Sequence, residues 1–455
     1  MRQAGSRVGG DDQENPALPQ QWDSPLQAVE RAVQERAKDL SLDMSGPAAA
    51  GELHRLVAEE IARWHADYLR GRRAFDLADD ERTAERALRN LAGYGPLHPL
   101  LDDPDVWEIE INAPDAIFVR RHRGDSGYHD EVFHDDDHVV RVLTKVLDDA
   151  GRSHRKLDPS EGLQDAQLDT GARLHVVHAD IGRDGHILAN IRKFTGLHLR
   201  TLAELVELDM LDHCAAELLR AAVRAGLSVL IAGPPGSGKT TLLSCLTAEI
   251  DPARRVVIAE EVFETDCPLP NVAHMQTRPA RADRPAVDLR RLVAGFLRMA
   301  PDVAIVGEVR DQEALPLLLT LSSGVQGFTT IHAGSARQAL SRLRFVAALA
   351  GHRELTLSAL SSLVAEAVDV VVHCSRVDGV PVVTEVIAVE DLAVSSDSVA
   401  FTSTTVLERP RRHAALSWSG NLPVRAGRVL ERAGIDLRGL LGDAPLAVEL
   451  AGQQR

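Results

Sequence analysis

Nothing constrains this chain more than nine residues in its middle, Gly233-Pro234-Pro235-Gly236-Ser237-Gly238-Lys239-Thr240-Thr241. The apolar run Val229-Leu230-Ile231-Ala232 leads in, and the helix-forming Thr241-Leu242-Leu243-Ser244-Cys245-Leu246 leads out. A strand, a glycine-rich loop and a helix in that order make a phosphate cradle. The glycines let backbone N–H groups turn inward without Cβ clashes, and the helix aims its positive end at the same anion. Gly233, Pro234, Pro235, Gly236, Ser237, Gly238, Lys239, Thr240 and Thr241 are therefore the predicted nucleotide-binding residues. Lys239 is expected to reach the β- and γ-phosphates, and the Thr240 hydroxyl to hold Mg²⁺. Such a unit belongs in a parallel α/β sheet, and residues 213–390 alternate helix and strand accordingly.

Three further segments end in polar groups where an open α/β sheet binds its ligands. Val303-Ala304-Ile305-Val306 is a buried strand expected beside the phosphate-loop strand, and it is followed by Gly307-Glu308-Val309-Arg310. A carboxylate at Glu308 can hold the Mg²⁺ shell or orient the attacking water; the plainer reading is a surface glutamate paired with Arg310. Val256–Ala259 runs into Glu260-Glu261-Val262-Phe263-Glu264, and carboxylates this close repel unless a cation offsets them. Gly327–Ile331 runs into His332, a candidate sensor of the γ-phosphate, although a histidine at a strand end is often structural.

The chain has 455 residues, which allows two to three domains. Its net charge of −16 argues against nucleic acid as a broad-surface ligand. The four cysteines form no Cys-x-x-Cys pair, so neither a zinc knuckle nor a redox motif is expected. The start of the chain lacks a signal-peptide pattern, and no apolar run approaches the roughly 20 residues that span a bilayer. Residues 1–24 read as disordered, 25–92 as a helical segment and 93–200 as an α+β domain. Residues 201–390 read as the phosphate-loop domain, with a hinge near Thr195–Leu205. Residues 391–455 read as a loosely packed C-terminal extension.

The three segments, in this order after a phosphate loop, resemble the type II/IV secretion-system ATPase superfamily, and most nearly its tight-adherence (Flp-type) pilus assembly ATPases. Ala259–Glu264 matches the family's Asp box, Gly307–Arg310 its Gly-Glu-Val-Arg strand end, and Thr329-Thr330-Ile331-His332-Ala333 its His box. Glu108–Val119 is similar to the hairpin of its N-terminal domain, and Ile191-Arg192-Lys193-Phe194 to its linker-proximal strand. The sequence departs from the family pattern at Glu261 (usually Asp), Gln276 (usually Glu), Ala300 (usually Arg) and Val325 (usually His).

The resemblance implies a RecA-like ATPase domain using ATP and Mg²⁺, with Thr240 and Glu308 at the metal. Glu308, Glu261, Glu264, His332 and Arg310 would be catalytic, and Arg120 and Arg192 are further candidate arginines. It also implies a cytoplasmic homo-hexamer, attached to the inner membrane only through a platform protein of a pilus or secretion system. The departures leave an alternative, a nucleotide-binding regulatory or structural ring subunit with weak hydrolysis.

Overall fold

The computed structural model describes residues 24–42, 50–122, 124–150, 157–168, 170–193, 199–278, 280, 285–350, 355–394, 399–411 and 413–442. The stretch expected to be disordered, up to residue 23, lies outside them, as do residues 194–198 of the expected strand and hinge. The chain forms two compact units, the first ending at Ile191 and the second running from Arg192, apart from short excursions at 121–124 and 169–173.

The first unit opens with three helices, α1 (Pro25–Asp39), α2 (Ala50–Leu69) and α3 (Asp80–Ala92). Ser24 starts α1 through a capping box with Gln27, and Asp79 caps α3 through the Arg82 N–H. Val29, Val33, Leu53, Leu56, Val57, Ile61 and Trp64 recur at three- and four-residue spacing and bury against one another. The short α4 (His98–Asp102) precedes β1 (Val106–Ala113), β2 (Ala116–Arg121) and β3 (Gly127–Tyr128). Then come α5 (Asp136–Asp149), β4 (Leu163–Gln167), β5 (Arg173–Val177) and β6 (Leu188–Arg192). The six strands form one sheet in the order β3-β2-β1-β6-β5-β4. Helices and sheet share this unit: Asn90 donates to Glu30 at 2.7 Å, and His134, just before α5, lies 2.8 Å from the other Glu30 oxygen.

The second unit begins with α6 (Leu202–Glu207) and α7 (His213–Arg224), then β7 (Val229–Ala232), α8 (Lys239–Thr247), β8 (Val256–Glu260) and β9 (Val272–Gln276). It continues with α9 (Leu289–Ala294), β10 (Val303–Val306), α10 (Ala314–Ser322), β11 (Gln326–Ile331), α11 (Ala336–Ala350) and α12 (Leu357–Ala367). It closes with β12 (Val370–Val377), β13 (Val380–Val394), β14 (Val399–Glu408), β15 (Ser417–Trp418), α13 (Arg425–Arg432) and α14 (Leu437–Gly442).

The strand order is β15-β14-β13-β12-β7-β11-β10-β8-β9. From β12 to β9 every neighbouring pair is parallel, and β13 to β15 extend the sheet antiparallel. This is the α/β, RecA-like class expected, and helices on both faces explain why β7, β10 and the first four residues of β8 are apolar without alternation. Val229 and Ile231 pack into one core beneath α7 and α8, while Leu230 and Ala232 pack into the other beneath α11 and α12.

Two expectations change. The Glu308 strand does not lie beside the phosphate-loop strand, because β11 is inserted between β7 and β10. Every residue of β11 is buried, and the hydroxyls of Thr329 and Thr330 donate to the carbonyls of Val306 and Gly307 at 2.7 and 2.8 Å. Those bonds let polar side chains occupy a central strand. The described part of the segment after 391, as far as residue 442, is not a loose tail. β14 and β15 pair onto the sheet edge, and Val406, Leu407, Leu416, Ala426, Leu430, Leu437 and Leu441 are buried in the core shared with α7 and β7. Thr402, Ser403, Thr404 and Thr405 sit on the half-buried antiparallel strand β14, while Ser395 and Ser396 lie outside the described residues.

Candidate functional site

Because β7, β8, β10 and β11 are parallel and in register, their carboxyl ends line one edge of the sheet. Ala232 pairs with Ile331, Thr329 with Val306, and Val306 with Ala259. The chain therefore presents Gly233, His332, Glu308 and Glu260 along that edge, each just past or at the end of its strand. The candidate site is built there.

The phosphate loop's form follows from its glycines. Gly233, Gly236 and Gly238 have φ of 152°, 70° and 83°, values that L side chains rarely adopt. A Cβ on Gly233 would lie 2.2 Å from the Cys374 carbonyl oxygen, so only glycine fits between the loop and β12. Ser237 is fully buried and its hydroxyl donates to the Pro234 carbonyl at 2.8 Å, tying the loop across its base. Pro234 and Pro235 form its exposed tip. Thr240 and Thr241, in the first turn of α8, are half-buried.

Lys239 is the first residue of α8 and is 6% exposed. Its ammonium donates to the Pro234 carbonyl at 2.9 Å and lies 3.3 Å from His332 Nδ1. Burial lowers its pKa, and the Glu308 carboxylate opposes that. A phosphate anion would serve the same compensating purpose, which is the electrostatic logic of a buried lysine in this loop.

His332 connects the two halves of the site. Its Nδ1 is 3.2 Å from the Gly233 carbonyl, and its Nε2 is 2.7 Å from Glu308 Oε1. The Nε2 contact has ion-pair distance without hydrogen-bond alignment, so Oε1 is a buried oxygen with no hydrogen-bond donor among the described residues. The other Glu308 oxygen accepts from Arg310 Nη2 at 2.7 Å. Burial by itself would raise the Glu308 pKa, yet His332 and Arg310 together hold it well below the usual carboxylate range. Glu308 raises Arg310 in return. The plainer reading of Glu308, a partner for Arg310, is thus present, but as part of a half-buried cluster rather than a surface pair.

Arg310 also reaches the loop after β8, where Nη1 donates to Glu261 at 3.2 Å. Glu261 is exposed, and Glu264 is half-buried with its pKa raised by burial. The residue that sets this loop is Glu260, which is 3% exposed. Its carboxylate accepts from the Thr265 N–H at 3.0 Å, the Thr265 hydroxyl at 2.6 Å and the Glu264 N–H at 3.3 Å, with His274 Nε2 at 2.5 Å. Gly307 leaves room for it, since a Cβ there would lie 2.9 Å from the Glu260 side chain. Sequence reasoning passed over Glu260 in favour of Glu261 and Glu264. The available signal was its place on the last strand position, whose side chain must enter the core.

Thr240, Glu260, Glu261, Glu264, Glu308 and Arg310 line one pocket. The described residues contain no cluster of three or more acidic, histidine or cysteine ligands suited to a metal. Mg²⁺ bound through a nucleotide needs no such cage, because phosphates and waters fill most of its octahedron. Glu308 Oε1, which His332 Nε2 approaches to 2.7 Å, and the Thr240 hydroxyl are oxygen groups suited to that role. Of the other candidate arginines, Arg120 is engaged within the first unit by Glu110 at 2.5 Å and Glu108 at 3.5 Å, and Arg192 ends β6.

The departures from the family pattern divide by position. Val325 and Ala300 precede β11 and β10, so they lie at the opposite edge of the sheet from Glu308 and His332. Gln276 ends β9 beside Glu260, and Glu261 is at the site itself.

Comparison with known proteins agrees with the family expectation. The family model for type II/IV secretion system proteins matches residues 90–379. A putative conjugal transfer protein of Mycobacterium tuberculosis is 33% identical over 297 residues, covering 63% of this chain and 81% of that one. The type IV secretion system protein PtlH of Bordetella pertussis is 31% identical over 309 residues, covering 62% and 88%. The crystal structure of the VirB11 ATPase of the Brucella suis type IV secretion system, in complex with sulphate, is 28% identical with a TM-score of 0.34, covering 64% and 94%. The chain belongs to the type II/IV secretion system protein family.

Proposed function

We propose that this protein is a cytoplasmic, ring-forming motor, a homo-hexamer that couples hydrolysis of Mg²⁺-bound ATP to export through an inner-membrane platform protein. Its cargo would be pilus subunits or a secreted substrate. The observation that carries the reading is the alignment of Lys239, His332, Glu308 and Arg310 along one sheet edge. In this reading the backbone of Gly233–Thr241 and the Lys239 ammonium hold the phosphates. Thr240 and Glu308 supply oxygens to the Mg²⁺ shell. Glu308, held ionised, orients the attacking water, while Arg310 and Lys239 offset charge that grows in the transition state. His332, touching both Lys239 and Glu308, senses the γ-phosphate. Glu261 fixes Arg310, and Glu264 lines the same pocket.

Membership of the family, with relatives named for conjugal transfer and type IV secretion, supports the export role. No described helix is long and apolar enough to cross a membrane, in keeping with attachment through a partner. The acidic balance gives no support to nucleic acid as a ligand. The rival reading, a regulatory ring subunit that binds nucleotide and barely turns it over, draws on Glu261, where a longer side chain than the family's usual Asp pairs with Arg310. Steady-state ATP hydrolysis by the purified protein, alone and with a candidate platform protein, separates the two. Mg²⁺-dependent turnover supports the motor; tight binding with no turnover under either condition rejects it.

A further inference from the structure

The phosphate loop has an outer wall, built from the turn between β12 and β13. Asp378 and Gly379, with φ of 49° and 83°, close a two-residue hairpin between Val377 and Val380. This hairpin meets the loop at three points. The Cys374 carbonyl lies where a Gly233 side chain would be. Arg376 Nη1 donates to the Gly236 carbonyl at 2.9 Å. Pro381 and Met210 pack on Gly238, where a Cβ would lie 3.2 Å from Pro381 Cβ and 2.9 Å from Met210 Cε. Met210 is fixed to the same hairpin by its carbonyl, which accepts from the Val383 N–H at 2.7 Å.

Arg376 is the one charged contact of the three. Its Nη2 donates to the Gly379 carbonyl, so one guanidinium bridges the hairpin tip and the tip of the phosphate loop. A peptide unit is planar and trans, so its C=O and the next N–H point in opposite directions. Holding the Gly236 carbonyl toward the hairpin therefore turns the Ser237 N–H the other way, where it makes a long 3.4 Å bond to the Pro234 carbonyl that a phosphate would replace. Inward N–H groups are what a phosphate loop offers its anion.

We propose that Arg376 is a positioning residue for nucleotide binding, fixing the Gly236–Ser237 peptide so that the loop is shaped before phosphate enters. The proposal rests on the loop being the nucleotide site. Its planar fork suits two carbonyls at a fixed spacing, whereas an ammonium offers a single point of charge. Loss of a charge-assisted hydrogen bond of this kind costs binding roughly tenfold.

The test is titration of the full chain with ADP and Mg²⁺ by calorimetry, with KM and kcat for ATP and melting temperatures without nucleotide. Arg376→Ala should weaken ADP binding and raise the KM for ATP about tenfold, with kcat changed much less and the nucleotide-free melting temperature close to wild type. Arg376→Lys should recover part of the affinity. Unchanged ADP affinity in Arg376→Ala would overturn the proposal, and so would a lowered melting temperature with unchanged affinity. If Arg376→Ala does not fold, Arg376→Lys decides: weakened ADP binding supports the proposal and wild-type affinity overturns it. Wild-type protein that takes up no ADP would instead remove the nucleotide site, which distinguishes that failure from one confined to Arg376.

Discussion

Glu308 is a carboxylate under opposing demands. It is mostly withdrawn from water, yet His332, 2.7 Å from one oxygen, and Arg310, 2.7 Å from the other, keep it ionised. Replacement by Gln keeps the shape and removes the charge. Glu308→Gln should lower kcat by on the order of 10²–10³-fold while ADP affinity stays near wild type, as read by calorimetry and steady-state assay. The same residue sets a pH dependence. Its folded pKa lies below its ordinary value of 4.5, so the unfolded chain binds more protons between the two values. Its contribution to stability is complete above about pH 4.5 and is lost as pH falls toward the folded value. Urea midpoints at pH 7 and pH 4 should therefore fall further for wild type than for Glu308→Gln; equal falls would contradict the account. Lys239→Ala removes the buried ammonium and should weaken ADP binding roughly tenfold or more by the same titration.

At the scale of elements, the sequence was legible wherever a local pattern fixed the answer. The capped amphipathic helices, the glycine-rich loop and the apolar strands β7, β8 and β10 all follow from spacing and residue type. The order of those strands does not, because neighbours in a parallel sheet are chosen by long-range packing rather than by adjacent residues. Placing β11 beside β7 is what brings His332 between Lys239 and Glu308, and no residue of β11 announces it. The C-terminal segment misled for a related reason. Its Ser and Thr residues suggested a loose tail, but Leu407, Leu416, Leu430 and Leu441 complete a core begun two hundred residues earlier, at α7 and β7. Each such leucine contributes about 1.5–3 kcal/mol on burial, and a whole domain is stable by only about 5–15 kcal/mol. A chain ending at Val389 should therefore fail to give soluble, cooperatively unfolding protein. The single change Leu430→Ala should cost about 2–5 kcal/mol in urea unfolding. A well-folded truncation would contradict this reading of the core. Arg376 was missed because an arginine near a hairpin carries no motif; its partner is a backbone carbonyl, Gly236, that sequence cannot mark.

For the whole molecule, the proposed motor combines membership of the type II/IV secretion system protein family with a specific sheet edge. The proposed ring is tested by light scattering after size-exclusion chromatography with ATP and Mg²⁺, where the hexamer mass is expected and a monomer at all concentrations would reject it. The departures at Val325 and Ala300 sit on the edge away from the site, which favours retained turnover over a purely regulatory subunit. The most direct test of the central claim is steady-state ATP hydrolysis by wild type, Lys239→Ala and Glu308→Gln, each with Mg²⁺ and with chelator. The account predicts Mg²⁺-dependent turnover by wild type alone, with Glu308→Gln still binding nucleotide. Turnover by Glu308→Gln equal to wild type, or none by wild type even with its platform partner, would contradict it.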